Sequence, residues 1–161
     1  MPPDVRSRGC VLAALLVIAS APAHALLSIA EPWVRPAAAG QSTAAYMELT
    51  STEGATLLSA RSPVARNVTI AGGTGGARPI AGLPLPPGSV VVLAPRGERL
   101  RLDKLARAVR LGQRVPLTLR IRNADGTTQD VEVDAEVRRR SPSEDHGVHR
   151  ARAAREPRTA R

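Results

Sequence analysis

A length of 161 residues sets the expectation of one domain, long enough for a modest hydrophobic core. Trp33 and Tyr46 are its only aromatic residues, so the core must be built from Leu, Val, Ile and Ala without large single anchors. The net charge is +9, yet among 23 basic residues Lys104 is the only lysine, so arginine is a bias of the whole chain and no single arginine is a signal by itself.

Residues 1–25 read as a secretory signal peptide. Arg6 and Arg8 precede an apolar run at 11–19, and Ala23-His24-Ala25 has the small-x-small form that signal peptidase accepts. The run is too short to span a bilayer comfortably, and no later stretch is apolar for longer, so a soluble mature protein is expected in the periplasm. Retention through an uncleaved peptide is the alternative. Cys10 lies before the apolar run, whereas a lipoprotein cysteine follows it. The mature chain therefore has no cysteine, which excludes disulfides, thiolate metal sites and thiol redox chemistry.

Residues 26–30 read as a ragged lead-in, and Trp33-Val34 between Pro32 and Pro36 starts the fold at an edge, with Trp33 plugging a barrel end. Residues 37–40 form a small-residue loop. In the strand at 42–51, Ala45, Met47 and Leu49 point one way, and Tyr46, Glu48 and Thr50 the other. That spacing makes Met47 a packing residue, although a thioether is also a Cu(I) ligand. After a Glu53-Gly54 turn, strands at 55–60 and 68–70 are joined through Ser62-Pro63. The glycine-rich run at 72–76 lacks the Lys-Ser/Thr pair and following helix of nucleotide-binding loops, and reads as a hairpin tip. Residues 83–88, Leu-Pro-Leu-Pro-Pro-Gly, read as a stiff polyproline-like spacer, with partner docking as the alternative.

The segment 89–122 is the centre of the pattern. Val90 to Leu93 is an apolar strand ended by Pro95 and Gly97; then Leu100 and Leu102 alternate with Arg99, Arg101 and Asp103. Gly112 precedes a run in which Leu117, Leu119 and Ile121 share a face. These three must face the same core as Val131, Val133 and Ala135, and partners directly opposite in an antiparallel pair lie on one face, so paired numbers must sum to an even value. A two-residue Asp125-Gly126 turn gives an odd sum. An odd-length loop centred near Asp125 or Gly126, with Gly126 left-handed, is required instead. Arg120 and Arg122 then face Asp130, Glu132 or Asp134.

Beyond Val137 apolar periodicity ends. Residues 138–161 carry eight arginines against Glu144, Asp145 and Glu156, too polar to fold alone, so a disordered basic tail is expected. Such a tail is attracted to anionic lipid or acidic protein surfaces; export removes it from nucleic acid.

The 89–122 segment, with Pro32-Trp33-Val34-Arg35-Pro36 and Ala44-Ala45-Tyr46-Met47, resembles the PCuAC family of periplasmic copper chaperones over roughly residues 30–137. The resemblance implies an all-β, Greek-key, cupredoxin-like sandwich or barrel, which seven or eight short strands also allow. It divides the chain into a signal peptide at 1–25, a PCuAC-like domain at 26–137 and the tail at 138–161. It also implies copper as cargo, no enzymatic activity, and cytochrome oxidase assembly proteins as partners. The family's His-x-Met pair falls on Arg99 and Arg101, its second His on Ala71, and its second Met on Ala77 before Arg78-Pro79. The metal site is therefore expected to be degenerate. His146 and His149 in the tail offer a weak His-x-x-His alternative, since some family members take up copper on such tails.

No catalytic set is expected, because both histidines after the signal peptide lie in the tail. Two functions follow. One is copper handling as in the family; the other is a non-metal adaptor in which Arg78, Arg96, Arg99 and Arg101 make an anion- or protein-binding face. Export is the first to be tested: N-terminal sequencing of periplasmic protein should find a start at or near Leu26, and recovery of the whole chain from the cytoplasm would remove the compartment both functions need.

Overall fold

The structure, a computed structural model, describes residues 26–73 and 78–141; the proposed signal peptide, Ala77 and most of the tail lie outside them. Among the described residues there is no helix. The strands are β1 (Leu27–Val34), β2 (Thr43–Ser51), β3 (Ala55–Arg61), β4 (Ala65–Gly72), β5 (Arg78–Pro79), β6 (Leu83–Leu85), β7 (Val90–Leu93), β8 (Arg99–Leu105), β9 (Arg114–Asn123) and β10 (Thr128–Val137).

They form one mixed sheet in the order β5-β4-β8-β2-β1-β10-β9-β3-β6, with β7 also pairing β2. β3 and β4 lie near opposite ends of that order yet are joined by only residues 62–64, so the sheet must curl until its two ends meet. Ser62 ties the corner by donating to the Pro116 carbonyl at 2.7 Å. The curl closes around a core of aliphatic side chains: Val34, Ala45, Leu49, Leu57, Leu119 and Ile121 are fully buried. Met47, 2% exposed, packs among them as its spacing required.

The last hairpin follows the parity rule. Val131 opposes Leu119 and Gln129 opposes Ile121, both summing to an even value. Asn123 and Thr127 close a three-residue loop, Gly126 has φ +85°, and Asp125 accepts from the Thr127 amide and hydroxyl at 2.8 and 2.6 Å. Arg120 sits opposite Asp130 as expected, but the ion pair at Asp130 is made by Arg61 of β3, at 3.1 Å.

Three expectations are corrected. Residues 26–30 are no ragged lead-in and Trp33-Val34 does not start the fold at an edge: β1 lies inside the sheet, paired with β2 from Leu27 onward and with β10 at Trp33 and Val34. Pro32 is accommodated because the β1–β2 register shifts between Ala30 and Trp33, where Glu31 has φ 47° and the missing proline donor falls in a bulge. The Leu-Pro-Leu run is an edge strand rather than a spacer. Leu83 and Leu85 are buried against β3, while Pro84, exposed between them, blocks further pairing. Finally, Tyr46 is buried rather than solvent-facing.

Gly126 gives a clean test of the hairpin. A Cβ added there meets nothing within 4 Å, so Gly126→Ala is charged only with the left-handed backbone. It should destabilise the domain by about 1–2 kcal/mol in urea unfolding, with no change in the slope of the transition.

Candidate functional site

β8 is the strand on which the site is built. Its Leu100 and Leu102 are fully buried, opposite Ile70 and Val68 of β4, so the alternate residues Arg99 and Arg101 emerge on the outer face. Directly opposite them on β4 stand Ala71 and Thr69. On its other side β8 pairs with β2, where Ala44 opposes Arg101. Three of the four positions that the resemblance assigned to copper, Ala71, Arg99 and Arg101, are thus gathered on one face. None carries a soft donor atom. Ala71 is itself closed off, 3% exposed.

The same outer face holds a small aromatic cluster separate from the core. Trp33 of β1 opposes Tyr46 of β2, the ring centroids are 4.4 Å apart, and Ala44 completes the patch. This is why Tyr46 is buried on the side where alternation predicts solvent. Arg35 lies over it, its guanidinium carbon 5.7 Å from the Tyr46 centroid, a cation–π contact worth about 0.5–1 kcal/mol at an exposed site. The backbone holds that arginine in place: its amide donates to the Ala44 carbonyl at 3.2 Å and its carbonyl accepts from the Thr43 hydroxyl at 2.8 Å.

Two depressions adjoin over this patch and share Arg35 and Pro95. One, of about 480 Å³, is lined by Trp33, Arg96, Arg139 and Arg140 besides those two; the other, of about 420 Å³, by Tyr46, Arg99 and Arg101. Topology brings the C-terminal arginines here. The parallel β1–β10 pair sets Val137 beside Val34, and the Arg138 amide donates to the Val34 carbonyl at 2.9 Å, which delivers residues 139–141 to the cleft. Arg99 donates to the Pro95 carbonyl at 3.1 Å, fixing the loop between β7 and β8 against its own strand.

Residues 27–134 match the sequence profile of the LpqE-like family, which is described as a lipoprotein family. The chain belongs to the LpqE-like family. No protein of curated function matches it. Among solved structures, the fold of this LpqE-like protein is similar to the apo PCuAC domain of PmoF1, with 21% identity, TM-score 0.61, and coverage of 71% of this chain and 98% of that one. It is similar also to the copper-bound PCuAC domain of PmoF2, with 23% identity, TM-score 0.57, and coverage of 71% and 97%. A third is the solution structure of Cu(I)-DR1885 from Deinococcus radiodurans, with 28% identity, TM-score 0.54, and coverage of 72% and 81%. The LpqE-like chain therefore has the all-β, cupredoxin-like fold of PCuAC domains.

Of the four residues named for a binding face, Arg96, Arg99 and Arg101 line the adjoining depressions. Arg78 does not: it sits on the outermost strand, opposite Gly72 and one residue out of phase with Ala71. Ala77, His146 and His149 lie outside the described residues. Sequence reasoning missed Arg35, Arg139 and Arg140, which only the β1–β10 pairing brings together. Among the described residues, no group of three or more His, Cys, Asp or Glu side chains is placed to hold a metal ion.

One carboxylate organises the rim. Asp103 accepts from Arg101 Nε at 2.9 Å and from the Ser42 hydroxyl at 2.7 Å. Partial burial raises its pKa, but those two hydrogen bonds and the charges of Arg101 and Lys104 outweigh it, holding Asp103 below its ordinary 3.8. A carboxylate depressed in the folded state contributes stability above its unfolded pKa and loses it as pH falls through the folded value. Asp103→Asn should therefore be less stable than the parent at neutral pH. The difference should shrink once pH drops below about 4 and vanish in stronger acid, as read from urea unfolding across pH.

Proposed function

We propose that this LpqE-like protein works outside the cytoplasm in copper handling, on the path to cytochrome oxidase, without holding Cu(I) in its folded domain. The observation that carries the reading is the register of β4 against β8, which sets Ala71 across from Arg99 on the face where the resemblance puts the copper ligands. Cu(I) is soft and is held by thioether sulfur and imidazole nitrogen. Alanine supplies no donor, and an arginine is permanently charged. At an effective dielectric near 20, one like charge about 4 Å from the ion opposes it by on the order of 4 kcal/mol before screening. Contact with oxidase-assembly proteins, rather than carriage of the metal, is then the contribution of the domain. His146 and His149 are assigned at most a weak site on the tail.

The family description names a lipoprotein, but the only cysteine here is Cys10, ahead of the apolar run. We assign export by a cleaved signal peptide at 1–25 rather than thioether lipidation, with the tail at 138–161 drawn to anionic lipid or acidic protein surfaces. A second reading is favoured by the adjoining depressions: a non-metal adaptor that recognises anionic partners through the arginine face.

Anaerobic titration of the exported chain with Cu(I) against a calibrated chelator tests the first reading. The chain should not compete, and any weak uptake should disappear in the double variant His146→Ala with His149→Ala. Ala71→His with Arg99→His and Arg101→Met should gain Cu(I) uptake on the same scaffold. Tight uptake by the parent that survives loss of both tail histidines would overturn the proposal.

A further inference from the structure

We infer that the paired depressions form a single groove for an extended acidic segment of a partner protein, with arginine forks on its walls and the aromatic patch as its floor. The inference deepens the adaptor reading of the arginine face and rests on it. Six arginines, Arg35, Arg96, Arg99, Arg101, Arg139 and Arg140, line the two depressions, which meet at Arg35 and Pro95. That is more charge, spread over more space, than one small anion would engage. Of the six, Arg101 is paired with Asp103, whereas Arg35, Arg96, Arg139 and Arg140 have no carboxylate partner among the described residues.

The planar guanidinium fork binds a carboxylate through two parallel hydrogen bonds, so spaced arginines read spaced Asp and Glu side chains. The floor suits the rest of a peptide. Pro95 and Ala94 lie beside the buried Trp33, giving an apolar surface for backbone and methylene groups between arginine walls. A bilayer is a poorer match to this shape. The surface is concave, and among the described residues none of the exposed large hydrophobic side chains that would enter a membrane, Leu26, Val90, Val92 and Leu111, lines either depression.

The test uses the chain purified from the extracytoplasmic fraction, with copper chelated throughout, so that its result is independent of the Cu(I) titration. A fluorescent peptide of alternating Asp and Ser is followed by anisotropy, with an Asn–Ser peptide as control and co-sedimentation with phosphatidylglycerol vesicles as a separate arm. The acidic peptide should bind, the Asn–Ser peptide should not, and salt should weaken the complex. Arg96→Glu with Arg140→Glu, both exposed and outside the core, should weaken binding by about tenfold or more. Arg66→Glu with Arg107→Glu makes the same charge change away from the groove and should leave binding within about twofold. Equal loss in both pairs would mean that only net charge attracts the peptide, which overturns the inference. So would vesicle binding that is tighter than peptide binding and is lost in the Arg96/Arg140 variant, or no binding of the acidic peptide at all.

Discussion

Side chains alternate across a strand, and in β8 that constraint decides everything outside the core. Burying Leu100 and Leu102 completely leaves Arg99 and Arg101 no direction but outward. The pairing of β8 with both β4 and β2 then fixes their neighbours, Ala71 and Thr69 on one side and Ala44 on the other. A one-residue slip would drive two guanidinium groups into an aliphatic core, at a desolvation cost no surface contact offsets. The alternation ends at Lys104, whose φ of 52° lets Leu105 turn back inward as the strand leaves the sheet. Core and outer face are thus set by the same two leucines.

The outer face differs from an ordinary solvated sheet surface because it carries its own buried patch. Trp33, Ala44 and Tyr46 are shielded from water, yet their cluster is separate from the aliphatic core. This places the chain's only two aromatic rings together on the side of the sheet where the arginines converge. A guanidinium group stacks on such rings and still presents its donors to a ligand, so the patch orders Arg35 without neutralising it. Asp103 plays the opposite part, holding Arg101 by a short ion pair at the rim.

Much of this was legible before the fold was known, and the reasons are physical. Parity along strands depends only on which residues must be buried, so an odd-length loop near Asp125 or Gly126 and a left-handed Gly126 could be derived, as could the outward placing of Arg99 and Arg101. What was missed needed contacts between distant strands. Tyr46 reads as polar-face by alternation, and only the register with Trp33 covers it. The Leu-Pro-Leu run reads as a spacer because proline breaks the strand pattern, although an edge strand needs backbone donors on one side only. Arg35 and Arg139 lie more than a hundred residues apart, and nothing local announces that a parallel β1–β10 pair will bring them to one cleft.

That parallel pair also carries Arg139 and Arg140 to the cleft. β10 ends beside the start of the arginine cleft, and Ser141 lines it. Arg139 and Arg140, both exposed, are thereby set beside Arg35 and Arg96, which lie far from them in sequence. Position is therefore worth more than number here: in a chain rich in arginine throughout, only the packing of β1, β2, β8 and β10 gathers several of those side chains around one apolar floor.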